Sequence, residues 1–183
     1  MRIVSGKHKS RRITAPNNLP VRPTTDMAKE ALFNILNNNY YFDQIEVLDL
    51  FAGIGSISFE FASRGTKKII SVDQHQGCIN FLNKINNELD LDIQTIKSDV
   101  YSFLDKTNKK FDVIFADPPY DFTEVQFQKI IDSIFNNQLL LEDGLLIIEH
   151  SKQTDLSQNV TFTKSKKYGG NMFSFFENKI IEK

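Results

Sequence analysis

The sequence has 183 residues, a formal net charge of −1, one cysteine and three histidines. This length fits one domain and excludes two full domains, and a single cysteine excludes an intrachain disulfide. So few cysteines and histidines argue against a structural zinc site, and we expect no bound metal. No apolar run approaches the ~20 residues that span a bilayer, so we expect a soluble protein of the reducing cytoplasm with no membrane partner.

The chain begins with a basic segment. Residues 1–22 contain no acidic residue, and their basic side chains are Arg2, Lys7, Lys9, Arg11, Arg12 and Arg22. This charge distribution predicts contact with a polyanion, although an ordinary solvated tail would have the same composition. Ile3-Val4 and Ile13-Thr14 flank the polar stretch and predict two short strands, which would make the segment an ordered basic hairpin.

Apolar, β-branched runs alternate with helical patterns along the rest of the chain. We predict strands over 47–51, 69–73, 93–97, 111–116 and 145–149, separated by helices over 56–63, 78–88, 100–104 and 123–136. A helix capped by Thr24-Thr25-Asp26 precedes them and runs to residue 38, and a hairpin over 161–166 and 172–176 follows them. Strands separated by helices indicate an α/β fold with a doubly wound sheet.

Four of the predicted strands end at or just before an aspartate. These residues are Asp49, Asp73, Asp99 and Asp117. Each one alone is typical of a helix cap or a turn. Ligands of open α/β sheets bind outside the carboxyl ends of the strands, so four acids meeting there predict a site for hydroxyl, ammonium and amine groups.

The loop after the first strand, residues 49–56, is rich in glycine. Gly53 and Gly55 allow a tight turn and a close approach of the backbone to a ligand, and Asp73 lies twenty residues beyond Gly53, where a carboxylate can accept from ribose hydroxyls. Dinucleotide sites and S-adenosylmethionine sites share this pattern. Ser58 occupies the third glycine position of the dinucleotide motif, and Asp49 would repel a pyrophosphate but could pair with an ammonium group. Both details favour S-adenosylmethionine, with Asp99 accepting from the adenine amine.

Asp117-Pro118-Pro119-Tyr120 directly follows the fourth predicted strand. Two prolines end the strand and remove two backbone donors, and the first keeps Asp117 extended. The resulting corner presents a carboxylate, carbonyl oxygens and an aromatic ring. That set suits a planar amine, whose N–H groups the oxygens accept while the ring stacks on the base. A surface turn that happens to contain two prolines is the alternative.

The chain resembles a known family in these motifs. The corner is similar to the [DNS]-P-P-[YFW] signature of methyltransferases that act on exocyclic nitrogens. Three further stretches resemble the RsmD family, the bacterial 16S rRNA guanine-N2-methyltransferases: Arg22-Pro23-Thr24-Thr25-Asp26, Glu30-Ala31-Leu32-Phe33-Asn34 and Asp49-Leu50-Phe51-Ala52-Gly53-Ile54-Gly55. The departures from the family pattern are Lys29 for Arg, Ile54 for Ser, Ser58 for Gly, Asp73 for Glu, and Ser5-Gly6 for a Gly-Gly pair.

The resemblance implies a Rossmann-like class I methyltransferase fold, with a mostly parallel seven-stranded sheet and helices on both faces. It also implies that residues 1–22 form a small basic β-hairpin extension for RNA contact and that residues 23–183 form the methyltransferase domain. The implied substrate is a guanine N2 amine of 16S rRNA, in a small ribosomal subunit particle. The implied cofactor is S-adenosylmethionine, which leaves as S-adenosylhomocysteine, and the implied oligomeric state is a monomer.

The motifs and the family resemblance together predict the site residues. The predicted catalytic residues are Asp117, Pro118, Pro119 and Tyr120. The cofactor residues are Asp49, Phe51, Ala52, Gly53, Gly55, Ser56, Asp73, Gln74, Asp99 and Val100. The RNA-binding residues are Arg2, Lys7, Lys9, Arg11, Arg12, Arg22 and Thr24.

Other functions remain open. A DNA adenine-N6 methyltransferase would use the same corner, although the chain has little room for a target-recognition domain. A non-catalytic nucleotide-binding module and a nicotinamide oxidoreductase are further alternatives. The missing third glycine and the Asp117 corner argue against both.

Overall fold

The computed structural model describes residues 1–20 and 24–178. In chain order, its helices and strands are α1 (Asp26–Leu36), β1 (Glu46–Leu50), α2 (Ser56–Ser63), β2 (Lys68–Asp73), α3 (Gln76–Glu88), β3 (Ile93–Lys97), α4 (Val100–Leu104), β4 (Phe111–Ala116), α5 (Glu124–Asn136), β5 (Leu140–Ser151), β6 (Phe162–Tyr168) and β7 (Asn171–Glu177). Every helix and strand predicted after residue 23 is present.

The strands form one sheet in the order β3-β2-β1-β4-β5-β7-β6. The first five strands pair in parallel, and β7 pairs antiparallel with both β5 and β6. The order reverses between β1 and β4, which is the topological switch point of a doubly wound fold. The predicted Rossmann-like sheet of seven mostly parallel strands is confirmed.

Helices cover both faces of the sheet because its central strands are apolar on both sides. One core contains the inner faces of α1, α2 and α3, with Leu32, Phe59 and Leu82 fully buried. The other contains those of α4 and α5, with Leu104 and Ile130 fully buried. Runs without polar alternation, such as β4, are typical of strands that helices cover on both faces.

The N-terminal segment differs from its prediction. Residues 1–3 and 11–13 lie antiparallel, but Arg2 and Arg12 form only an isolated bridge, so neither segment is a strand. The amides of Val4 and Ser5 donate to the Glu60 carboxylate, at 2.8 and 3.0 Å. Strand-like pairing in this segment is limited to the bridge. The β-hairpin extension stays a prediction, and its boundary at residues 22 and 23 lies outside the described residues.

Two smaller differences concern the lengths of elements. Strand β5 begins at Leu140, five residues before the predicted start, and its pairing with β4 shifts register between Phe111 and Val113. Helix α1 ends at Leu36, two residues earlier than predicted, and the Thr25 side chain caps its first turn. None of the described helices is both long and apolar enough to cross a membrane.

Candidate active site

A cavity of about 1100 Å³ lies at the carboxyl ends of β1, β2 and β4. Open α/β sheets bind their ligands at the carboxyl ends of their strands. All four predicted catalytic residues, 117–120, line the cavity, and so does Thr24. Nine of the ten predicted cofactor residues line it as well: Asp49, Phe51, Ala52, Gly53, Ser56, Asp73, Gln74, Asp99 and Val100. The structure thus brings two separately predicted groups of residues into one site.

Gly55 is the predicted cofactor residue that does not line the cavity. It lies behind the loop as the N-cap of α2, with a φ of 77°. A Cβ at this position would lie 2.2 Å from Cδ2 of Leu82 and 2.8 Å from Cε2 of Phe59. The glycine is therefore needed for the tight turn and for close packing on α3, and it acts on the cavity only by shaping the loop.

Asp73 joins the end of β2 to the glycine loop. Its Oδ2 accepts the amide hydrogen of Gly53 at 2.8 Å, and its Oδ1 accepts that of His75 at 2.8 Å. Each carboxylate oxygen has a further lone pair that can accept from a ligand. The backbone thus fixes the orientation of the carboxylate toward the cavity.

Asp49 is only 2% exposed. Its Oδ2 accepts from the Ser58 amide at 3.1 Å and from the Ser58 hydroxyl, which is also 2.6 Å from the Ser71 hydroxyl. Burial raises the pKa of Asp49 to about 7, and the Asp73 charge adds to this, although the Ser58 hydrogen bonds oppose it. Ser58, which the sequence showed only as a missing glycine, thus holds the Asp49 carboxylate.

Asp99 is a helix cap, and it also lines the cavity. Its carboxylate caps α4 by accepting from the Ser102 amide at 3.0 Å, and the residue is an exposed part of the cavity wall. Val100 is buried beside it, and Gln74 is exposed across the cavity. An acceptor at this position can reach a ligand amine without losing its capping bond.

Asp117 lies at the end of β4, where its amide donates to the Leu50 carbonyl at 3.4 Å. Burial raises the pKa of Asp117 well above its ordinary value, and the nearby carboxylates of Glu149 and Asp49 raise it further. Within residues 1–20 and 24–178, no side chain donates a hydrogen bond to its carboxylate. A carboxylate in this environment favours a ligand that brings N–H donors.

Tyr120 stands at the mouth of the cavity and is 58% exposed. Its hydroxyl donates to Oδ1 of Asn171 at 3.3 Å. Behind it, the Phe122 amide donates to the Pro119 carbonyl at 3.0 Å, and the Phe122 ring packs edge-on against Phe51 with centroids 5.5 Å apart. The corner is therefore supported from below, and the Tyr120 side chain is exposed at the cavity.

Sequence reasoning missed Glu149, a fifth acid at this edge of the sheet. Glu149 is 4% exposed, near the carboxyl end of β5, and it accepts from the Thr24 hydroxyl at 2.9 Å and from the Asn171 side-chain amide. Thr24, predicted to bind RNA, is buried here and lines the cavity. The rule that found the other four acids also applies to Glu149, which ends the predicted strand over 145–149.

Apart from Thr24, the described residues that were predicted to bind RNA do not line this cavity. Arg12 lines a second cavity of about 430 Å³, which shares Leu19 and Ile54 with the first. Lys7 lies further away, because its amide donates to the Ser63 carbonyl at 2.7 Å. Ser63 is the last of the eight residues of α2, ~12 Å along the helix from the end that faces the cavity.

The remaining basic side chains follow the same segment. Lys9 and Arg11 are exposed on the loop that contains Lys7, and Arg2 forms an ion pair with Asp26 at 3.1 Å. Arg22 lies outside the described residues. The basic side chains thus form a path that leads from the cavity rim along α2.

Glu60 and Ser63 attach this segment to α2. Glu60 is fully buried and accepts from the Val4 and Ser5 amides and from Nε of Arg64, the last at 2.8 Å. The Ser63 hydroxyl donates to the Ser5 carbonyl at 2.6 Å. Gly6 makes the close approach possible, because a Cβ there would lie 1.8 Å from the Ser63 carbonyl oxygen.

Lys29 extends this attachment toward the cavity. Its ammonium donates to the Arg2 carbonyl at 2.6 Å and to the Ser56 hydroxyl at 3.4 Å, and it lies 3.8 Å from Oε2 of Glu60. Ser56 lines the cavity. A single buried cation therefore contacts both the basic segment and the glycine loop.

The acceptors of the cavity fit S-adenosylmethionine. Asp49, Asp73 and Asp99 all line the cavity, which therefore contains carboxylates of the kind that an ammonium, a ribose and an adenine amine would need. Asp49 forms no salt bridge within the described residues, and its raised pKa is what a buried acid shows without a cation beside it. Among the described residues, no group of three His, Cys, Asp or Glu side chains is placed to hold a metal ion.

Comparisons with known proteins agree with this geometry. The family model described as Conserved hypothetical protein 95 matches residues 1–177. Ribosomal RNA small subunit methyltransferase D of Haemophilus influenzae is 32% identical over 185 residues, which cover 97% of this chain and 94% of that protein. The protein of the same name from Buchnera aphidicola subsp. Baizongia pistaciae is 33% identical over 150 residues, with 81% and 75% covered.

A solved structure shows the same fold over nearly the whole length. The hypothetical protein TTHA0928 of Thermus thermophilus superposes with a TM-score of 0.84 at 25% identity, covering 97% of this chain and 99% of that one.

Proposed function

This chain belongs to the RsmD family, described as Conserved hypothetical protein 95, and on that premise we propose that it methylates the N2 amine of a guanine in small-subunit rRNA. Relatives over most of its length are named ribosomal RNA small subunit methyltransferase D, so rRNA methylation is the reaction class. The observation that carries the finer proposal is the Asp117–Tyr120 corner, which shares one cavity with three further carboxylates.

The methyl donor in this proposal is S-adenosylmethionine, whose sulfonium supplies an electrophilic methyl group. Asp73 accepts from its ribose hydroxyls, Asp99 accepts from its adenine amine, and Asp49 faces its ammonium directly or through water. The glycine loop lets the backbone approach the ligand closely. No metal takes part, because a methyl group on a cationic sulfur needs no Lewis acid.

The corner orients and activates the acceptor amine. The lone pair of a guanine amine is delocalised into the ring, which makes the nitrogen a poor nucleophile. Accepting its N–H groups at the Asp117 carboxylate and the Pro118 carbonyl localises that lone pair and aims it at the methyl group. Stacking on Tyr120 contributes ~1–3 kcal/mol, and alignment of the reacting atoms supplies most of the rate enhancement.

The base must leave its helix to reach this corner, because a paired base edge cannot enter the cavity. The exposed face of Tyr120 is the surface on which an extruded base would stack. Arg12 at the rim and the basic loop beyond it would then hold the flanking phosphates. We place this reaction in the cytoplasm, on a small ribosomal subunit particle, with the protein acting as a monomer.

Mass spectrometry of labelled RNA tests the proposal. The protein is incubated with trideuteromethyl S-adenosylmethionine and, in parallel, with naked 16S rRNA, small-subunit particles and DNA. The expected product is N2-trideuteromethylguanosine in small-subunit RNA. Label in the N6-methyladenine of DNA would overturn the substrate and support the adenine-N6 alternative instead.

A thermal-shift assay tests the cofactor separately. S-adenosylhomocysteine should raise the melting temperature, whereas NAD should leave it unchanged. Stabilisation by NAD alone would contradict the assignment and favour a dinucleotide-binding protein.

A further inference from the structure

A chain of side-chain hydrogen bonds runs behind the Asp117 corner. The Tyr120 hydroxyl donates to Asn171 at 3.3 Å, the Asn171 side-chain amide donates to Glu149, and the Thr24 hydroxyl donates to Glu149 at 2.9 Å. These residues come from the corner, the start of β7, the end of β5 and the segment before α1. Thr24 and Glu149 are 125 positions apart in the sequence.

Glu149 is the fixed centre of this chain. It is 4% exposed, and its two oxygens accept from two different segments. Hydrogen bonds to an ionised acceptor are about twice as strong as neutral ones, and a buried carboxylate holds its donors firmly. The β5–β7 pairing sets the distance between Glu149 and Asn171, because the register places Ser151 opposite Asn171 and Glu149 opposite Phe173.

The hydrogen-bonded side chains differ in whether they reach the cavity. Thr24 and Tyr120 line the cavity, whereas Glu149 and Asn171 stand behind it. Glu149 and Asn171 can therefore affect a bound base only through the side chains that they hold. The ring of Tyr120 is the one that matters, since it is exposed at the cavity and its hydroxyl bonds Asn171.

We propose that Glu149 and Asn171 are positioning residues, which fix the Tyr120 ring so that the target base stacks in line with the methyl donor. This inference rests on the proposed function and extends it to two residues outside the cavity. Their contribution is to alignment, so it belongs to the catalytic step and not to cofactor affinity.

The decisive variants separate hydrogen bonding from packing. N171A removes the contact to Tyr120 at a half-buried position. N178A, at the other end of β7, is the matched control because Asn178 bonds the Leu141 carbonyl, away from the cavity. E149A removes the carboxylate that accepts the hydrogen bonds of Asn171 and Thr24. E149Q restores both hydrogen bonds, because a glutamine amide can accept from Asn171 and donate to the Thr24 oxygen.

We expect kcat to fall ~5-fold in N171A and ~20-fold in E149A, with E149Q within ~3-fold of wild type. The E149A/N171A double variant should lose no more than E149A alone, because both changes break one chain. N178A should match wild type. The dissociation constant for S-adenosylhomocysteine should stay unchanged in all five variants.

A second readout reports stacking without turnover. An RNA fragment with 2-aminopurine at the mapped target position is quenched when its base stacks on Tyr120. The N171A complex should be brighter than the wild-type and N178A complexes. Equal brightness and equal kcat in N171A and wild type would overturn the inference.

The outcome in which N171A loses cofactor affinity or melting temperature in proportion to kcat would also overturn the inference, since Asn171 would then only brace the sheet. If E149A fails to fold, N171A alone decides. Failure of the proposed function is recognised separately, because the wild-type protein would then transfer no methyl group to RNA.

Discussion

Two groups of buried ionisable side chains differ in whether opposite charges lie beside them. The docking cluster, Lys29, Glu60 and Arg64, contains both signs, and Arg64 stacks over Phe33 with 4.6 Å between guanidinium and ring centroid. The acidic edge, Asp49 and Asp117, has carboxylates next to carboxylates. Among residues 1–20 and 24–178, the first group contains its own counter-charges, and Asp49 and Asp117 form no salt bridge.

The pKa shifts of Lys29, Asp49 and Asp117 reflect this difference. Burial lowers the pKa of Lys29, but Glu60 beside it opposes the shift. Burial raises the pKa of Asp49 and Asp117, and neighbouring acids raise it further. Folding therefore keeps the acidic edge in an unfavourable state that donors or cations of a ligand would relieve, which is typical of a functional site.

The largest expected effect is on turnover at the acidic edge. D117A should lower kcat ~10³-fold, because the amine loses its acceptor, while S-adenosylhomocysteine still binds. The urea midpoint should stay level or rise, since an uncompensated buried acid is removed. Initial rates and calorimetry check this, with D121A in the exposed turn as the matched control. Substantial residual activity would mean that another carboxylate orients the amine.

The docking cluster should respond in the opposite way. E60A leaves two backbone amides without their acceptor and removes the carboxylate that pairs with Lys29 and Arg64, so it should lower the free energy of unfolding by ~3–5 kcal/mol. Equilibrium urea unfolding measures this. E46A breaks the exposed Glu46–Lys68 pair instead and should cause no measurable change. Similar losses in both variants would show that burial does not distinguish the two pairs.

Alanine substitutions in the basic N-terminal segment test whether this segment binds RNA. R11A/R12A should weaken RNA binding ~10-fold and reduce the salt slope by ~2, with S-adenosylhomocysteine affinity unchanged. Fluorescence anisotropy over a salt series measures both quantities. K109A/K110A is the control, because both lysines directly precede the amino end of β4, whereas the cavity lies at its carboxyl end. An equal loss of RNA and cofactor binding would contradict this division of labour.

The last expected effect is a pH dependence of cofactor binding. An ammonium group favours the ionised form of Asp49, whose pKa in the free protein is about 7. As pH falls below that value, the carboxylate must first lose a proton, so the dissociation constant of S-adenosylhomocysteine should rise up to ~10-fold per pH unit. Titration calorimetry from pH 5.5 to 8.5 checks this. D49N should give a flat profile, and an unchanged slope in D49N would exclude Asp49 as the cause.

The sequence predicted those parts of the molecule that local pattern determines. Alternating apolar runs and helical patterns gave the sheet, and aspartates at four strand ends gave the cavity wall, because strand ends meet wherever strands are parallel. Features that depend on distant partners were missed. The strands of the basic segment do not form, because Glu60 takes the Val4 and Ser5 amides.

The same reason explains which contacts within the site were missed. Thr24 bonds a carboxylate 125 positions away, and its position beside basic residues in the sequence does not indicate that contact. Ser58 contacts Asp49 only because the glycine loop turns between them. Neither contact has a periodicity or a motif that a single sequence displays.

A crystal structure with bound S-adenosylmethionine would show whether the methyl group faces the Asp117 corner. We expect the methyl carbon to point toward the Asp117 and Pro118 oxygens, across a gap that admits one planar base beside Tyr120 and leaves ~3–3.5 Å between methyl carbon and amine. A methyl group directed away from that corner, or separated from it by a gap that no base can bridge, would rule out methyl transfer at this corner.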